Sequence, residues 1–310
     1  HGGRRGRGLP PRAVGMLRMP LAELIATEQA ANTIVFPRPV VQPAATNDPP
    51  KAPLPSRRRV RLLGAEIDVL RMPDAVAQIV DWVARRDGLC RYVVTPNVDH
   101  MVLLAENEAL RRAYAEAGLV LADGAPLVWV SRWLGESLPE RVAGSDLVPA
   151  LFDGTAAGSP LRVFLLGGAP GVAERAAANI AARWPAVTVV GTASPPKGFE
   201  HDARQNAALL ARIDKGRPDV VLVGLGAPKQ ELWVWQHHRA IAAPAVLCIG
   251  ATIDFLAGER SRAPRWMRRA GLEWLYRVGT EPRRLGARYA RDAWIFPRLV
   301  WREWRGQSRG

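Results

Sequence analysis

Forty-three basic residues against twenty-nine acidic ones give this 310-residue chain a formal net charge of +14, with 48% hydrophobic residues and two cysteines. The length and apolar content suffice for one full core of about 200 residues plus appendages, and Cys90 and Cys248, each set in an apolar strand-like run, read as reduced thiols rather than a disulfide or metal pair. No stretch approaches the roughly eighteen apolar residues of a spanning helix, and the start has no apolar segment of a secretory signal.

The charge is segregated along the chain. Residues 260–310 hold fourteen Arg against four acids, together with five of the eleven Trp, and residues 1–59 hold ten basic and three acidic groups. A slightly acidic body therefore lies between two basic ends, so the high pI speaks of partners and surface potential. Arg forks match phosphate oxygens and Trp favours a wet apolar boundary. The partner implied is anionic, a nucleic acid or a membrane phosphate.

In chain order, residues 1–56 mix Arg, Pro and Ala with little periodicity and read as a disordered or weakly ordered leader, with a short amphipathic helix over Met16–Ala31. From Val60 a short hairpin (Val60–Leu63, Glu66–Leu70) leads into a helix over Pro73–Arg86. Strand Tyr92–Thr95, helix Val98–Ala117, strand Leu119–Leu121 and helices Ala125–Leu134 and Ser145–Ala156 follow. Strand Arg162–Leu166 turns through Gly167 to Gly171 into helix Val172–Trp184, and strand Val187–Gly191 is followed by helix Ala203–Lys215. Strand Val220–Gly224, helix Gln230–Ala240 and strand Ala245–Ile249 close the series. Such alternation predicts an α/β fold, a mostly parallel Rossmann-like sheet with helices on both faces, plus a basic helical C-terminal appendage. The predicted divisions are a leader over 1–56, a core over 57–259 and the Arg/Trp-rich appendage over 260–310.

Ligands of such sheets gather beyond the C-terminal strand ends, and there the sequence places Thr95-Pro96-Asn97, Ala122-Asp123-Gly124, Gly167-Gly168, the run from Gly224 to Glu231, and Gly250-Ala251-Thr252-Ile253-Asp254. Five strand ends offering glycine and short polar residues should converge on one cleft. Thr95 and Asn97 read equally as a helix cap and as ligand contacts. Asp123 follows an apolar strand directly, where a carboxylate is costly unless paired or working. Gly224, Gly226, Lys229 and Gln230 combine close backbone approach with a helix N-terminus suited to an anion, whereas Gly167–Gly171 alone is weak evidence for a phosphate cradle. His237 and His238 read as solvent-facing. No Asp-x-Asp, P-loop, Gly-x-Ser-x-Gly, Cys-x-x-Cys or Gly-x-Gly-x-x-Gly occurs, which speaks against several metal-bridged, nucleotide-hydrolysing, acyl-transfer and dinucleotide chemistries.

Taken together and in order, these motifs, with Arg141-x-x-Gly144-x-Asp146, Leu165-Leu166-Gly167-Gly168, Asp254-Phe255-x-Ala257-Gly258 and the tail pattern Pro264, Gly271-Leu272-Glu273-Trp274, Arg277, Glu281-Pro282-Arg283-Arg284 and Arg288-Tyr289, resemble the WecG/TagA/CpsF glycosyltransferases over about residues 60 to 300. The resemblance implies an inverting, metal-independent transferase without a cofactor. It would move a sugar from a UDP-sugar onto an undecaprenyl-diphosphate-linked saccharide, as a peripheral protein on the inner face of the bacterial plasma membrane. By motif, Asp123 would be the general base. Thr95 and Asn97 would lie near the transferred sugar and diphosphate, Gln230 would hold the donor, and Asp254 would meet the uridine. Arg141, Asp146, Gly168, Gly226 and Glu231 complete the candidate substrate-binding set, and Arg277, Arg284 and Arg288 would capture the acceptor diphosphate. The other tail arginines need only attract an anionic membrane surface.

The donor sugar is expected to be of hexose or N-acetylmannosamine type, with glucose in exopolysaccharide synthesis preferred, and self-association through the tail face is a further expectation. The alternative, a nucleic-acid-binding protein using the basic tail, leaves the strand-end motifs without a purpose.

Overall fold

Val220-Val221-Leu222-Val223 and Ala245-Val246-Leu247-Cys248 are apolar at every position, the pattern of strands covered on both faces. In the computed structural model, which describes residues 58–155, 160–269 and 271–307, these runs are neighbouring strands inside one parallel sheet. The leader predicted over 1–56 lies outside the described residues.

An antiparallel hairpin, β1 (Arg59–Leu62) and β2 (Ala65–Asp68), precedes the sheet. The sheet comprises β3 (Arg91–Val94), β4 (Leu119–Val120), β5 (Leu161–Gly167), β6 (Val187–Ala193), β7 (Val220–Gly224) and β8 (Ala245–Cys248). Its order is β4-β3-β8-β7-β5-β6, and every pairing is parallel. The chain steps outward from β3 to β4, then crosses to the other half for β5 and β6 before filling the middle with β7 and β8. That reversal opens a crevice at the C-terminal strand ends.

Helices α1 (Met72–Arg85), α2 (Val98–Glu106), α3 (Glu108–Ala115), α4 (Ala125–Trp133), α5 (Gly144–Asp153) and α6 (Val172–Arg183) belong to the first part of the fold. α7 (Ala203–Gly216), α8 (Lys229–His237) and α9 (Thr252–Leu256) belong to the second. On one sheet face Ile79 and Trp82 of α1, Leu151 and Phe152 of α5 and Ile180 of α6 share a core with Val163, Leu165 and Leu247. On the other, α3 packs on α8, and α8 on β3 and β8. The predicted two-sided α/β sheet is thus observed.

Two predicted helices are interrupted. The helix foreseen over Val98–Ala117 breaks at Asn107, whose extended backbone (φ −118°, ψ 106°) ends α2 while its side chain accepts from Leu110 N at 2.9 Å to cap α3. Asparagine competes with the helix by bonding its neighbours' amides. The helix foreseen over Gln230–Ala240 closes in a short 3₁₀ turn, and His237 and His238 are half-buried rather than solvent-facing. Their rings rest on Trp233 and Tyr92 at centroid distances of 5.0 and 5.1 Å.

The C-terminal segment forms α10 (Arg265–Arg269), α11 (Glu273–Thr280) and the long α12 (Pro282–Gln307), which packs along α2 and spans about 39 Å at 1.5 Å per residue. Gly271 seats this segment on the core. Its φ is +72°, and a Cβ there would stand 2.4 Å from Ala125 Cβ and 3.2 Å from the Trp129 ring.

Candidate active site

The strand ends converge on a cleft of about 630 Å³, within the ordinary range for small-molecule sites. Thr95 and Asn97 after β3, Asp123 after β4, Gly226 and Gln230 after β7, and Asp254 after β8 all line it. Among the described residues, three of the predicted set do not. Gly168 packs against Val172 and Ile253, and a Cβ on the preceding Gly167 would lie 2.3 Å from the Gly224 carbonyl, so this glycine pair serves close strand packing. Asp146 is engaged by arginines behind the cleft wall, and Glu231 is wholly buried beneath it.

The Asp123 loop is fixed by its backbone. Asp123 N–H donates to the Pro96 carbonyl at 2.7 Å, and Val142 N–H donates to the Ala122 carbonyl at 2.8 Å, which brings the Arg141 loop alongside. The Asp123 side chain keeps 29% exposure and lines the cleft, with the Arg141 guanidinium 3.8 Å away. Burial between the cleft walls pushes its pKa up to about 6, against the lowering pull of Arg141. Asp123 is therefore largely ionised at neutral pH yet far more basic than an ordinary aspartate.

Arg141 is held in turn by Asp146 at 2.6 Å and by Glu273 of the C-terminal segment at 3.1 Å. Arg262 and Arg268 also reach Asp146, at 2.8 and 3.3 Å. Burial raises the Asp146 pKa, but the hydrogen bond and charge of Arg262, with Arg141 and Arg268, outweigh it and hold the carboxylate below its usual range. Asp146 therefore orients Arg141 and ties the C-terminal segment to the core.

A second network runs under the cleft floor. Thr95 Oγ1 donates to the Cys248 carbonyl at 3.1 Å, and Asn97 caps α2 by accepting from His100 N at 3.3 Å. His100 Nε2 lies 3.2 Å from Glu231 Oε1, which also accepts from Gln230 Nε2 at 2.7 Å, while Gln230 Oε1 accepts from Gly250 N–H at 3.2 Å. This chain joins the ends of β3, β7 and β8. Burial lowers the His100 pKa, and Glu231 more than reverses that, raising it overall. Thr95 and Asn97 are thus both structural and cleft-lining. His100 carries no motif signal, because its partner lies 131 residues away in sequence.

Over the cleft, Arg260 pairs with Asp254 at 3.3 Å and with Glu281 at 2.8 Å, and Arg277 and Arg288 line the opening. Arg288 stands 3.5 Å from Asp99 of α2. The side chain of Arg284 lies outside the described residues. Several tail arginines are thus engaged with core carboxylates instead of forming a free basic stripe for nucleic acid.

Beside the cleft lies an exposed aromatic surface. Trp133 of α4 stacks on Trp304 of α12 at 5.9 Å, and Trp301 adjoins Trp304 at 5.3 Å. Arg298 and Arg305 lie over the rings of Trp294 and Trp301 at 3.5 and 4.5 Å. Among the described residues no helix is long and apolar enough to cross a membrane.

The family described as "Glycosyl transferase WecG/TagA/CpsF family" matches residues 60–310. Proteins named N-acetylglucosaminyldiphosphoundecaprenol N-acetyl-beta-D-mannosaminyltransferase, from Staphylococcus aureus strains MRSA252 and NCTC 8325 / PS 47, are each 27% identical to the chain over 232 residues. The similarity covers 74% of this chain and 87% of each relative.

Proposed function

The chain belongs to the WecG/TagA/CpsF family of glycosyl transferases, and on that premise we propose that it moves a sugar from a UDP-sugar onto a polyprenyl-diphosphate-linked saccharide in cell-envelope polysaccharide synthesis. The observation that carries this reading is the Asp123 carboxylate, raised to about 6 and open to the cleft beside Arg141.

Asp123 accepts the proton of the acceptor hydroxyl as its oxygen attacks the anomeric carbon of the donor. The bond from that carbon to the diphosphate oxygen breaks on the opposite face, so the configuration inverts and UDP departs with the electron pair. The charge on UDP is met without a metal by Arg141, by backbone amides around Gly226 and the start of α8, and by Arg277 above. On this reading Asp254, paired with Arg260, meets the uridine, and Arg277 and Arg288, which also line the cleft, take the acceptor diphosphate.

The Trp133, Trp301 and Trp304 surface with its arginines supports a peripheral seat on the anionic inner leaflet, where a lipid-linked acceptor would present its headgroup. The relatives are named as N-acetylmannosaminyltransferases, which makes UDP-N-acetylmannosamine the first donor to try beside UDP-glucose. The test is product formation from a panel of UDP-sugars on a short-chain polyprenyl diphosphate N-acetylglucosamine. One donor should yield a disaccharide-lipid with inverted anomeric configuration. Transfer from none of them, with UDP still bound, would overturn the reading.

A further inference from the structure

Asp292 of α12 is 2% exposed, yet neither of its carboxylate oxygens has a hydrogen-bond partner. Four residues before it, on the same helix face, Arg288 leaves its Nε donor unpartnered as well. Both residues line the cleft, together with Asp99 from the first turn of α2. A buried polar group without a partner carries a desolvation penalty that a ligand can remove.

The neighbouring cations do not satisfy Asp292. Arg288 reaches Asp99 at 3.5 Å, and Arg291 donates to Glu106, the last residue of α2. Burial and the Asp99 carboxylate push the Asp292 pKa up to about 7, against Arg288 and Arg291. A cation is a poor candidate for this place, because among the described residues no group of three His, Cys, Asp or Glu side chains gathers there and the Arg288 guanidinium adjoins it. What complements two carboxylates beside an arginine is a molecule with hydroxyl or amide donors next to anionic oxygens. A sugar diphosphate has that make-up.

We propose that Asp292, backed by Asp99, is a hydrogen-bond acceptor for hydroxyl or amide N–H groups of the acceptor sugar, and thereby determines which lipid-linked saccharide is glycosylated. The inference rests on the transferase reading above. It places sugar recognition on the C-terminal helix, next to the diphosphate contact made by Arg288, so headgroup and first sugar are read together.

The experiment uses the full chain, wild type and Asp292→Asn and Asp292→Ala, with short-chain polyprenyl diphosphate N-acetylglucosamine and its monodeoxy and de-N-acetylated analogues as acceptors. The expected result is an acceptor KM raised on the order of tenfold in Asp292→Asn, with UDP affinity and donor KM unchanged. One analogue should lose a similar factor with the wild type, and on that analogue the substitution should cost nothing more. An unchanged acceptor KM in both variants, equal penalties on every analogue, or loss of UDP binding in both variants would each overturn the proposal. Absence of transfer by the wild type to any acceptor would instead strike the transferase reading on which it rests.

Discussion

Asp123 and Arg141 stand 3.8 Å apart, side by side in the cleft lining, and Arg141 is itself clamped by Asp146 at 2.6 Å and Glu273 at 3.1 Å. The cation beside the candidate base is thereby fixed by one carboxylate of the core and one of the C-terminal segment. It moderates the basicity of Asp123, and on the proposed reading it is the cation that meets the charge of the departing diphosphate.

The pH profile follows from this arrangement. With the Asp123 pKa at about 6, kcat/KM should fall with unit slope as pH drops below that value, because the base becomes protonated. In Arg141→Gln the lowering pull is removed, so the acid limb should move to higher pH, and kcat/KM at neutral pH should drop by about a hundredfold through lost charge stabilisation. An acid limb left in place by Arg141→Gln would detach the two residues.

Asp146 makes a stability prediction. Its folded pKa is depressed, so its contribution is fully present above the unfolded value and is lost as pH falls through the folded one. Asp146→Ala removes the carboxylate that Arg141, Arg262 and Arg268 share and should cost about 2–3 kcal/mol at pH 7. Chemical denaturation at pH 7 and pH 3 should show the difference shrinking at the lower pH. A constant difference would contradict the assigned linkage.

The aromatic surface predicts membrane binding. Cosedimentation with vesicles containing anionic phospholipid should be strong at low salt and weaken as salt screens the arginines. Trp301→Ala combined with Trp304→Ala should reduce binding at least tenfold while leaving UDP affinity unchanged. Equal binding to neutral and anionic vesicles would count against the arginine contribution.

Chelation tests the charge balance around the leaving group. If Arg141, Arg277 and the α8 amides suffice, transfer in excess EDTA should match transfer in added Mg²⁺. A loss restored by a divalent cation would call for a metal in the mechanism.

Much of this molecule could be read along the sequence. The parallel strands announced themselves as apolar runs, and Asp123, Gln230 and Asp254 stood at strand ends where the crevice had to be, whereas Arg141, in a loop between two helices, was marked only by the family resemblance. Gly168 shared the same signal but serves packing, because glycine after a strand permits close backbone approach to a neighbour as well as to a ligand. The break at Asn107 depended on one side chain capping the next turn. His100 with Glu231, and Asp292 with Asp99, were beyond reach because each pair is assembled from distant segments by packing. In the sequence Asp292 is one more charge on an arginine-rich helix, and its burial emerges only from how α12 lies on α2.

The most direct test of the central claim is sugar transfer by Asp123→Asn, a near-isosteric change that removes the base and leaves the cleft shape. With UDP binding intact by calorimetry, transfer to the lipid-diphosphate acceptor should fall by about a thousandfold or more. Wild-type transfer rates in Asp123→Asn would contradict the account.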